Sequence, residues 1–244
     1  MNAAIVTGVS RGLGEAIAAA LLVRDFQVIG VGRGSAARLA GAGYEFVACD
    51  LAAPGEACTT LATTFASLAA RRPEHVCLVN NAATAEPVGL FGMLTAPAIE
   101  QSLTVNLAAP TMLADLFCKV FASDTMERRI INVSSGAAGS TLPGAALYCV
   151  AKAGIEMLTR CLAAEQHGDR FRAVTVRPGV IDTEMQVFMR GQPRDRLPGV
   201  AMFEGFHSSG QLVPPDTAAD VLVRKLIEGP VENGKTYTYQ ELAG

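Results

Sequence analysis

The chain lacks tryptophan, has only three histidines, and carries no excess of positive charge. Its 20 lysines and arginines are outnumbered by 23 acidic residues, which gives a formal net charge of −3. A protein that binds nucleic acid or an anionic lipid surface usually presents an overall positive field or a basic stripe, and neither is evident here. We therefore expect no nucleic-acid partner.

The cysteines follow no recognisable spacing pattern. The six cysteines form no CxxC pair and have no histidine at a spacing that suits zinc, so the sequence predicts neither a disulfide scaffold nor a metal site. The separated histidines also leave little material for a Ser/His/Asp triad. We interpret all six as small buried hydrophobic residues: Cys49, Cys58, Cys77, Cys118, Cys149 and Cys161.

Long hydrophobic runs are also missing. No apolar stretch approaches the ~20 residues that span a bilayer, and the first residues enter a strand pattern without the charged and apolar regions of a signal peptide. The expectation is a soluble cytoplasmic protein with no membrane partner.

What is present is an alternation of short apolar runs with longer helical patterns, which is typical of βαβ units and a parallel sheet. This predicts an α/β fold, a doubly wound Rossmann-type sheet of seven mostly parallel strands with helices on both faces, in one domain over residues 1–244. The predicted strands are Ala3–Thr7, Gln27–Val31, Tyr44–Cys49, Val76–Asn80, Ile130–Ser134, Ala173–Arg177 and Thr236–Tyr239. The predicted helices are Leu13–Arg24, Gly55–Arg71, Ala98–Ala122, Leu147–Gln166 and Pro215–Glu228.

Residues 184–213 do not fit this alternation and are too long for an ordinary connection. Loops of this length often cover a site, which suggests a substrate lid. The alternative is that its Met and Phe side chains pack against the core or a neighbouring subunit.

A glycine-rich turn follows the first strand and opens directly into a helix. Gly8 suits a tight turn, Gly12 a close approach to a pyrophosphate, and Gly14 close packing of helix on strand. The helix N-terminus adds unpaired N–H groups for the anion. This position predicts a dinucleotide site with contacts from Gly8, Ser10, Arg11, Gly12, Leu13 and Gly14.

The end of the second strand indicates which nucleotide binds. An NAD enzyme normally places Asp or Glu there for the ribose 2′-hydroxyl. This chain instead has Arg33, which together with Arg11 can clamp a 2′-phosphate, so we predict NADP(H).

Two further strand ends face the same edge of the sheet, where open α/β folds bind ligands. Asp50 and Leu51 follow the third strand, where a carboxylate can accept from adenine, although Asp50 suits a helix N-cap equally well. Asn80, Asn81 and Ala82 follow the fourth strand and are also predicted to contact the cofactor.

The fifth strand leads into Ser134 and Ser135, and Tyr148 and Lys152 follow on a predicted helix. Positions four apart share a helix face, so Tyr148 and Lys152 point the same way. A phenol has an ordinary pKa near 10, and a neighbouring ammonium favours its ionised form. This pair therefore predicts an acid/base centre.

These motifs together resemble the short-chain dehydrogenase/reductases over essentially the whole chain. The resemblance implies that Tyr148 donates a proton to a carbonyl, that Ser135 binds its oxygen, that Lys152 holds the nicotinamide ribose, and that Asn106 positions a water. Asn106 is otherwise a polar residue that kinks its helix. The resemblance also implies a homodimer or homotetramer, and it places four further residues against the cofactor: Pro178, Gly179, Ile181 and Thr183.

A finer resemblance, to the sepiapterin and bacterial benzil reductase branch, implies a ketone or 1,2-dicarbonyl as the small-molecule substrate. The alternatives are a 3-oxoacyl thioester or hydroxysteroid reductase and, in another class, a non-catalytic module that senses NADP. A thioester reductase should carry basic surface residues for an acidic carrier, and we expect no such cluster near residues 184–213.

Overall fold

Seven parallel strands form one sheet in the order β3-β2-β1-β4-β5-β6-β7. The computed structural model describes residues 1–123, 125–166 and 168–244. The strand order reverses direction between β1 and β4, and this switch point is where doubly wound sheets bind ligands at their carboxyl edge. The strands are β1 (Asn2–Thr7), β2 (Gln27–Gly32), β3 (Tyr44–Ala48), β4 (His75–Asn80), β5 (Glu127–Val133), β6 (Phe171–Arg177) and β7 (Thr236–Thr238).

Helices cover both faces of the sheet, which confirms the predicted Rossmann-type architecture. The helices are α1 (Gly12–Leu22), α2 (Pro54–Ala70), α3 (Ala96–Leu103), α4 (Ala109–Val120), α5 (Ala146–Glu165), α6 (Glu184–Arg190), α7 (Val200–Ser208), α8 (Pro215–Leu222) and α9 (Tyr239–Ala243). Short π-helical segments continue α3 at Thr104–Ala108 and α8 at Val223–Glu228.

Side-chain alternation along the central strands creates two cores. On β1, Ala4 and Val6 pack with residues of α1 and α8, whereas Ala3 and Ile5 pack with α2 and α4 on the other face. Successive side chains of a strand point to opposite faces, so a strand covered on both sides is apolar throughout. The sheet edge that carries the predicted site is thereby held from both faces.

Strand β5 begins three residues earlier than the sequence predicted. Arg128 and Arg129 look like surface residues in the sequence, yet they are 5% and 6% exposed. The Arg128 guanidinium carbon lies 5.5 Å from the centre of the Phe171 ring. Arg129 Nη1 donates to the carbonyl oxygens of Leu226 and Gly229 at 2.8 and 2.6 Å. These partners come from distant parts of the chain, so a local pattern cannot reveal them.

Residues 184–213 contain α6 and α7 rather than a continuous loop. The two ends of this segment are joined, since Val213 donates its N–H to Val180 at 2.8 Å and Asp182 donates to Val213 at 2.9 Å. Its Leu197 and Phe203 are buried in a third apolar cluster, against which Tyr148 packs. Of the Met and Phe side chains in this segment, Met189 and Phe203 are buried, whereas Met202 is 44% exposed.

The cysteine interpretation is correct only for Cys77. Cys161 is exposed and the other four are partly exposed, and all six thiols are free. Among the described residues, Ala96–Val120 is one continuous helical stretch long and apolar enough to cross a membrane by length and composition. Here Leu113 and Phe117 of that stretch are buried in the core of the domain.

Candidate active site

The glycine turn has the geometry that its position predicted. Gly8 and Gly12 adopt left-handed backbone conformations with φ of +76° and +62°. A Cβ on Gly14 would lie 2.3 Å from the Gly8 carbonyl oxygen and from Asn81 Nδ2. Any side chain at position 14 would push α1 away from the turn, so a smaller residue than alanine is required there.

Asn81 and Thr7 fasten this turn to the loop that follows β4. Asn81 Nδ2 donates to the Thr7 carbonyl oxygen at 2.9 Å, and the Thr7 hydroxyl accepts the backbone N–H groups of Asn81 and Ala82, both at 3.0 Å. The predicted residues Asn81 and Ala82 therefore lie beside the glycine turn, where they shape it.

Asn80, predicted to contact the cofactor, has its side chain in the core, so only its backbone can face a nucleotide. Its Nδ2 donates to Asn132 Oδ1 at 2.9 Å, and Asn132 Nδ2 donates in turn to the Thr159 hydroxyl at 2.9 Å. Thr175 completes this buried polar chain with a 2.7 Å bond to Thr159. Asn80 thus links β4 to β5 and α5 beneath the site.

The side chains of Leu13 and Leu51 are buried in the two cores, so only their backbones can face a nucleotide. Asp50 is exposed at the carboxyl edge, and its Oδ1 accepts the N–H of Ala52 at 2.9 Å. This bond closes a turn two residues ahead of α2, whose N-cap is Ala53, so the N-cap interpretation of Asp50 is wrong.

The predicted phosphate residues are on the surface. Ser10, Arg11 and Arg33 are all exposed. Arg33 follows β2 directly, as the sequence predicted, whereas the Arg11 guanidinium forms an ion pair with Glu184 at the start of α6. The Arg11 and Glu184 side chains are 67% and 65% exposed, so their ion pair is weak and a bound anion can displace Glu184 from Arg11.

The turn after β6 comes back to the glycine turn. Pro178 and Ile181 are buried, and Gly179 is exposed with φ of +80°. Thr183 lies against Gly12, where an added Cβ would come 3.2 Å from Thr183 Cγ2. The four residues predicted from the β6 turn are therefore at the same edge as the glycine turn.

Ser135, Tyr148 and Lys152 come together where β5 ends and α5 begins. Lys152 is 3% exposed, its Nζ donates to the Val133 carbonyl oxygen at 2.7 Å, and that nitrogen lies 5.5 Å from the centre of the Tyr148 ring. Burial lowers the pKa of Lys152 to about 8. The elements therefore bring the predicted triad of side chains to one place.

The pKa of Tyr148 departs from the sequence expectation. Burial raises it to about 12, while a hydrogen bond with the Ser135 hydroxyl acts in the opposite direction. The Lys152 ammonium is hydrogen-bonded to Val133, and its charge, 5.5 Å from the centre of the Tyr148 ring, does not overcome the desolvation of the phenol. Tyr148 is consequently held protonated in this arrangement, as a proton donor must be.

Asn106 lies in the π-helical segment between α3 and α4 and is 1% exposed. Its Oδ1 accepts the N–H of Thr84 at 2.9 Å, and its Nδ2 donates to the Thr84 carbonyl oxygen at 2.9 Å. The side chain therefore fixes the loop after β4, in a helix that is locally widened. π-Helical turns of this kind are frequent at functional sites.

Sequence reasoning missed two charged residues beside the triad, Glu156 and Arg177. Glu156 Oε1 accepts from Ser134 at 3.0 Å and from Arg177 Nε at 2.7 Å. The available signal was spacing, since Glu156 stands four residues after Lys152 on the same helix. Across the part of the chain that the structure describes, no group of three or more His, Cys, Asp or Glu side chains is arranged to hold a metal ion.

Comparison with known proteins agrees with this geometry. Residues 2–193 match the family described as short chain dehydrogenase. The chain is 32% identical over 243 residues to a benzil reductase ((S)-benzoin forming) of Bacillus subtilis, covering 99% of each chain. It is 31% identical over 185 residues to an L-xylulose reductase of Caenorhabditis elegans, covering 74% of this chain and 72% of that one.

A solved structure supports the same assignment. The crystal structure of the KRED1-Pglu enzyme superposes with a TM-score of 0.84 at 28% identity, and the match covers 97% of this chain and all of that one. With the family match over residues 2–193 and the relatives above, the conclusion is direct. The chain belongs to the short-chain dehydrogenase family.

Proposed function

We propose that the protein is an NADPH-dependent carbonyl reductase that acts on a ketone or a 1,2-dicarbonyl compound. The observation that carries this proposal is the meeting of Ser135, Tyr148 and Lys152 at the carboxyl edge of the sheet, beside the glycine turn. The family is one of oxidoreductases, and an acid/base group beside a dinucleotide cradle suits reduction of a carbonyl.

The chain's own residues supply the proton. Tyr148 is protonated at neutral pH, since its pKa of about 12 lies far above 7, and its hydroxyl is the proton donor to a carbonyl oxygen. Ser135 donates a hydrogen bond to that oxygen as negative charge develops. The Lys152 ammonium stabilises the phenolate that remains after the proton has left. A bound nicotinamide nucleotide supplies the hydride.

The residues around the glycine turn fit such a nucleotide. The turn itself leaves no room for a Cβ at Gly14, which keeps the start of α1 packed against the turn after β1. Arg33 stands exposed directly after β2, where an acidic residue would favour NAD. The exposed arginines Arg33 and Arg11 support a preference for the 2′-phosphate of NADPH.

The surroundings of Tyr148 support an apolar substrate. Tyr148 packs against a cluster that contains Val88, Leu197 and Phe203, with Leu142 and Phe188 at its margin. Such walls suit the aromatic substituents of a diketone better than the hydroxyl groups of a sugar. The likeness to a benzil reductase supports the same class.

Initial rates of NADPH and NADH oxidation with benzil test the proposal. We expect NADPH to be preferred, and Arg33→Ala to raise the KM for NADPH and leave that for NADH unchanged.

Tyr148→Phe tests the proton donor. It should lower kcat by at least about a hundredfold, while fluorescence titration still shows NADPH binding. Full turnover in Tyr148→Phe contradicts the mechanism. NADPH binding without turnover of any carbonyl compound supports the sensing module instead.

One observation favours a second candidate, a 3-oxoacyl thioester reductase. We expected no basic cluster near residues 184–213, yet Arg194 and Arg196 are both exposed on the turn between α6 and α7. Exposed guanidinium groups suit an acidic carrier. Acetoacetyl thioesters as the only accepted substrates would establish this function over diketone reduction.

We also propose that the enzyme works in the cytoplasm as a homodimer or homotetramer. Val150 and Met157 of α5 are 55% and 51% exposed, and such apolar side chains on one helix support self-association. Light scattering of the purified protein tests the oligomeric state.

A further inference from the structure

We infer that Glu156 is a positioning residue, which together with Arg177 and Ser134 holds Ser135, Tyr148 and Lys152 in their working arrangement. This inference rests on the proposed function, because it assigns Glu156 a role in that same site. Glu156 touches none of the three side chains that act on a substrate. It acts through the segments that carry them.

The first step of the argument is the spacing on α5. Tyr148, Lys152 and Glu156 are four residues apart, so they lie along one face of the helix. Two of them bond directly to the end of β5: Lys152 Nζ donates to the Val133 carbonyl oxygen at 2.7 Å, and Glu156 Oε1 accepts from the Ser134 hydroxyl at 3.0 Å.

Ser134 belongs to this series of contacts but was not predicted to act on the substrate or the cofactor. It is 2% exposed, and its hydroxyl also lies 3.4 Å from the Lys152 carbonyl oxygen. The Ser134 N–H pairs with the Val176 carbonyl oxygen of β6 at 2.8 Å. Ser134 therefore joins β5, β6 and α5 at the residue immediately before Ser135.

Arg177 extends the connection to a third segment. Its Nε and Nη2 donate to Glu156 Oε1 and Oε2 at 2.7 and 2.9 Å, a bidentate pair with fixed geometry. Arg177 is the last residue of β6 and directly precedes Pro178. Its guanidinium also lies over Gly139, where an added Cβ would come 3.2 Å from Nη2. One carboxylate thus connects α5, the turn after β5 and the turn after β6.

Partial burial restricts the Glu156–Arg177 ion pair to one geometry. The Glu156 side chain is 13% exposed and that of Arg177 is 31% exposed, so a Glu156 carboxylate without its partner would be poorly solvated. The bidentate pair therefore holds one geometry, and removal of the carboxylate releases Arg177 toward water. Small displacements of catalytic groups are costly, since about 1 Å can cost up to ~100-fold in rate.

The test compares Glu156→Ala and Ser134→Ala with a matched control, Asp220→Ala. Asp220 forms an ion pair with Arg24 between α8 and the residues just after α1, away from the proposed site. We expect Glu156→Ala to lower kcat by about tenfold or more with the KM for NADPH within about twofold, while Asp220→Ala keeps kcat. Glu156→Gln, which retains an acceptor for Ser134, should recover part of the loss.

Hydrogen exchange followed by mass spectrometry gives a readout that does not depend on activity. In the Glu156→Ala protein we expect faster exchange in peptides that cover residues 134–140 and 178–183, and unchanged exchange in β1 and α1. Should Glu156→Ala not fold, Ser134→Ala removes a single hydroxyl with its contacts to Glu156 and to the Lys152 carbonyl oxygen, and its kcat and exchange carry the test.

The inference is overturned if folded Glu156→Ala has wild-type kcat, or if its exchange matches that of Asp220→Ala. Failure of the proposed function gives a different result, in which the wild-type protein reduces no carbonyl compound while the exchange difference at residues 134–140 persists.

Discussion

The Lys152 ammonium donates to the Val133 carbonyl oxygen at 2.7 Å, in a position where only 3% of the lysine is exposed. Desolvation lowers the pKa of Lys152 to about 8, well below its ordinary value of 10.5. A buried ammonium of this kind costs folding free energy for as long as it carries its proton. The Lys152 ammonium that the proposed mechanism needs therefore lowers the stability of the folded protein.

We predict that the stability of the wild-type protein, relative to Lys152→Met, rises with pH between about 8 and 10. In that window the unfolded chain still holds the proton of Lys152 and the folded chain releases it, so each increase in pH favours the folded state. The gain over the window should be about 2 kcal/mol. Chemical denaturation at pH 7, 8, 9 and 10 measures it, with Lys119→Met at an exposed site as control. A difference between wild type and Lys152→Met that is constant with pH contradicts the assignment.

We predict that Glu184→Gln tightens NADPH binding by about two- to fivefold, because it frees the Arg11 guanidinium for the 2′-phosphate and an exposed ion pair is worth at most about 1 kcal/mol. NADH binding should not change, and the effect should fade at high salt. Fluorescence titration with both nucleotides measures it. Glu204→Gln on α7 is a control with the same change of charge. Equal tightening of NADPH and NADH would show that Arg11 does not contact the 2′-phosphate.

Much of the fold could be predicted from local patterns. Strands β1, β2 and β4 are apolar runs buried on both faces, and their predicted bounds hold to within one residue. The pattern failed where a structure depends on distant partners, as at Arg128 and Arg129 of β5. Helices α6 and α7 were missed because they are short and separated by prolines.

One missed element did have a local signal. Helix α9 begins with a capping box, in which the Thr238 hydroxyl accepts from the N–H of Glu241 and the Glu241 carboxylate accepts from the N–H of Thr238. The spacing Thr-x-x-Glu is visible in the sequence. The predicted extension of β7 to Tyr239 overlooked it.

The sequence predicted which residues lie near the candidate site better than it predicted where their side chains point. Spacing of four on a helix placed Tyr148 and Lys152 together, and strand ends placed the glycine turn nearby. The direction of the Asn80 side chain depends on Asn132 and Thr159, which lie 52 and 79 positions away along the chain, and no local pattern contains that information.

We predict that Thr159→Val destabilises the protein by about 1–3 kcal/mol. The Thr159 hydroxyl accepts from Asn132 and bonds with Thr175, so its loss leaves buried polar groups without partners. Thr59→Val is a matched control, because both hydroxyls donate to the carbonyl four residues earlier at 3.0 Å but Thr59 is exposed. The control should stay within about 0.5 kcal/mol of wild type in urea denaturation. Equal losses in the two variants would show that the buried chain adds nothing.

We predict that Gly144→Ala lowers both stability and kcat, because residues 184–213 dock on the turn before α5 at this glycine. Gly144 has φ of +88°, and a Cβ there would lie 2.1 Å from the Arg196 carbonyl oxygen. Gly210→Ala is the matched control, with φ of +68° and open space around the new Cβ.

Left-handed backbone alone costs about 1–2 kcal/mol for alanine, and Gly210→Ala should show that loss with unchanged kcat. Gly144→Ala adds the steric conflict, so its free energy of unfolding should fall by about 2 kcal/mol more. Its kcat should fall as well, because the displaced turn leads within four residues to Tyr148. Urea denaturation and NADPH oxidation measure the two effects. Equal behaviour of the two variants would mean that residues 184–213 move independently of α5, as the mobile lid first considered for this segment would.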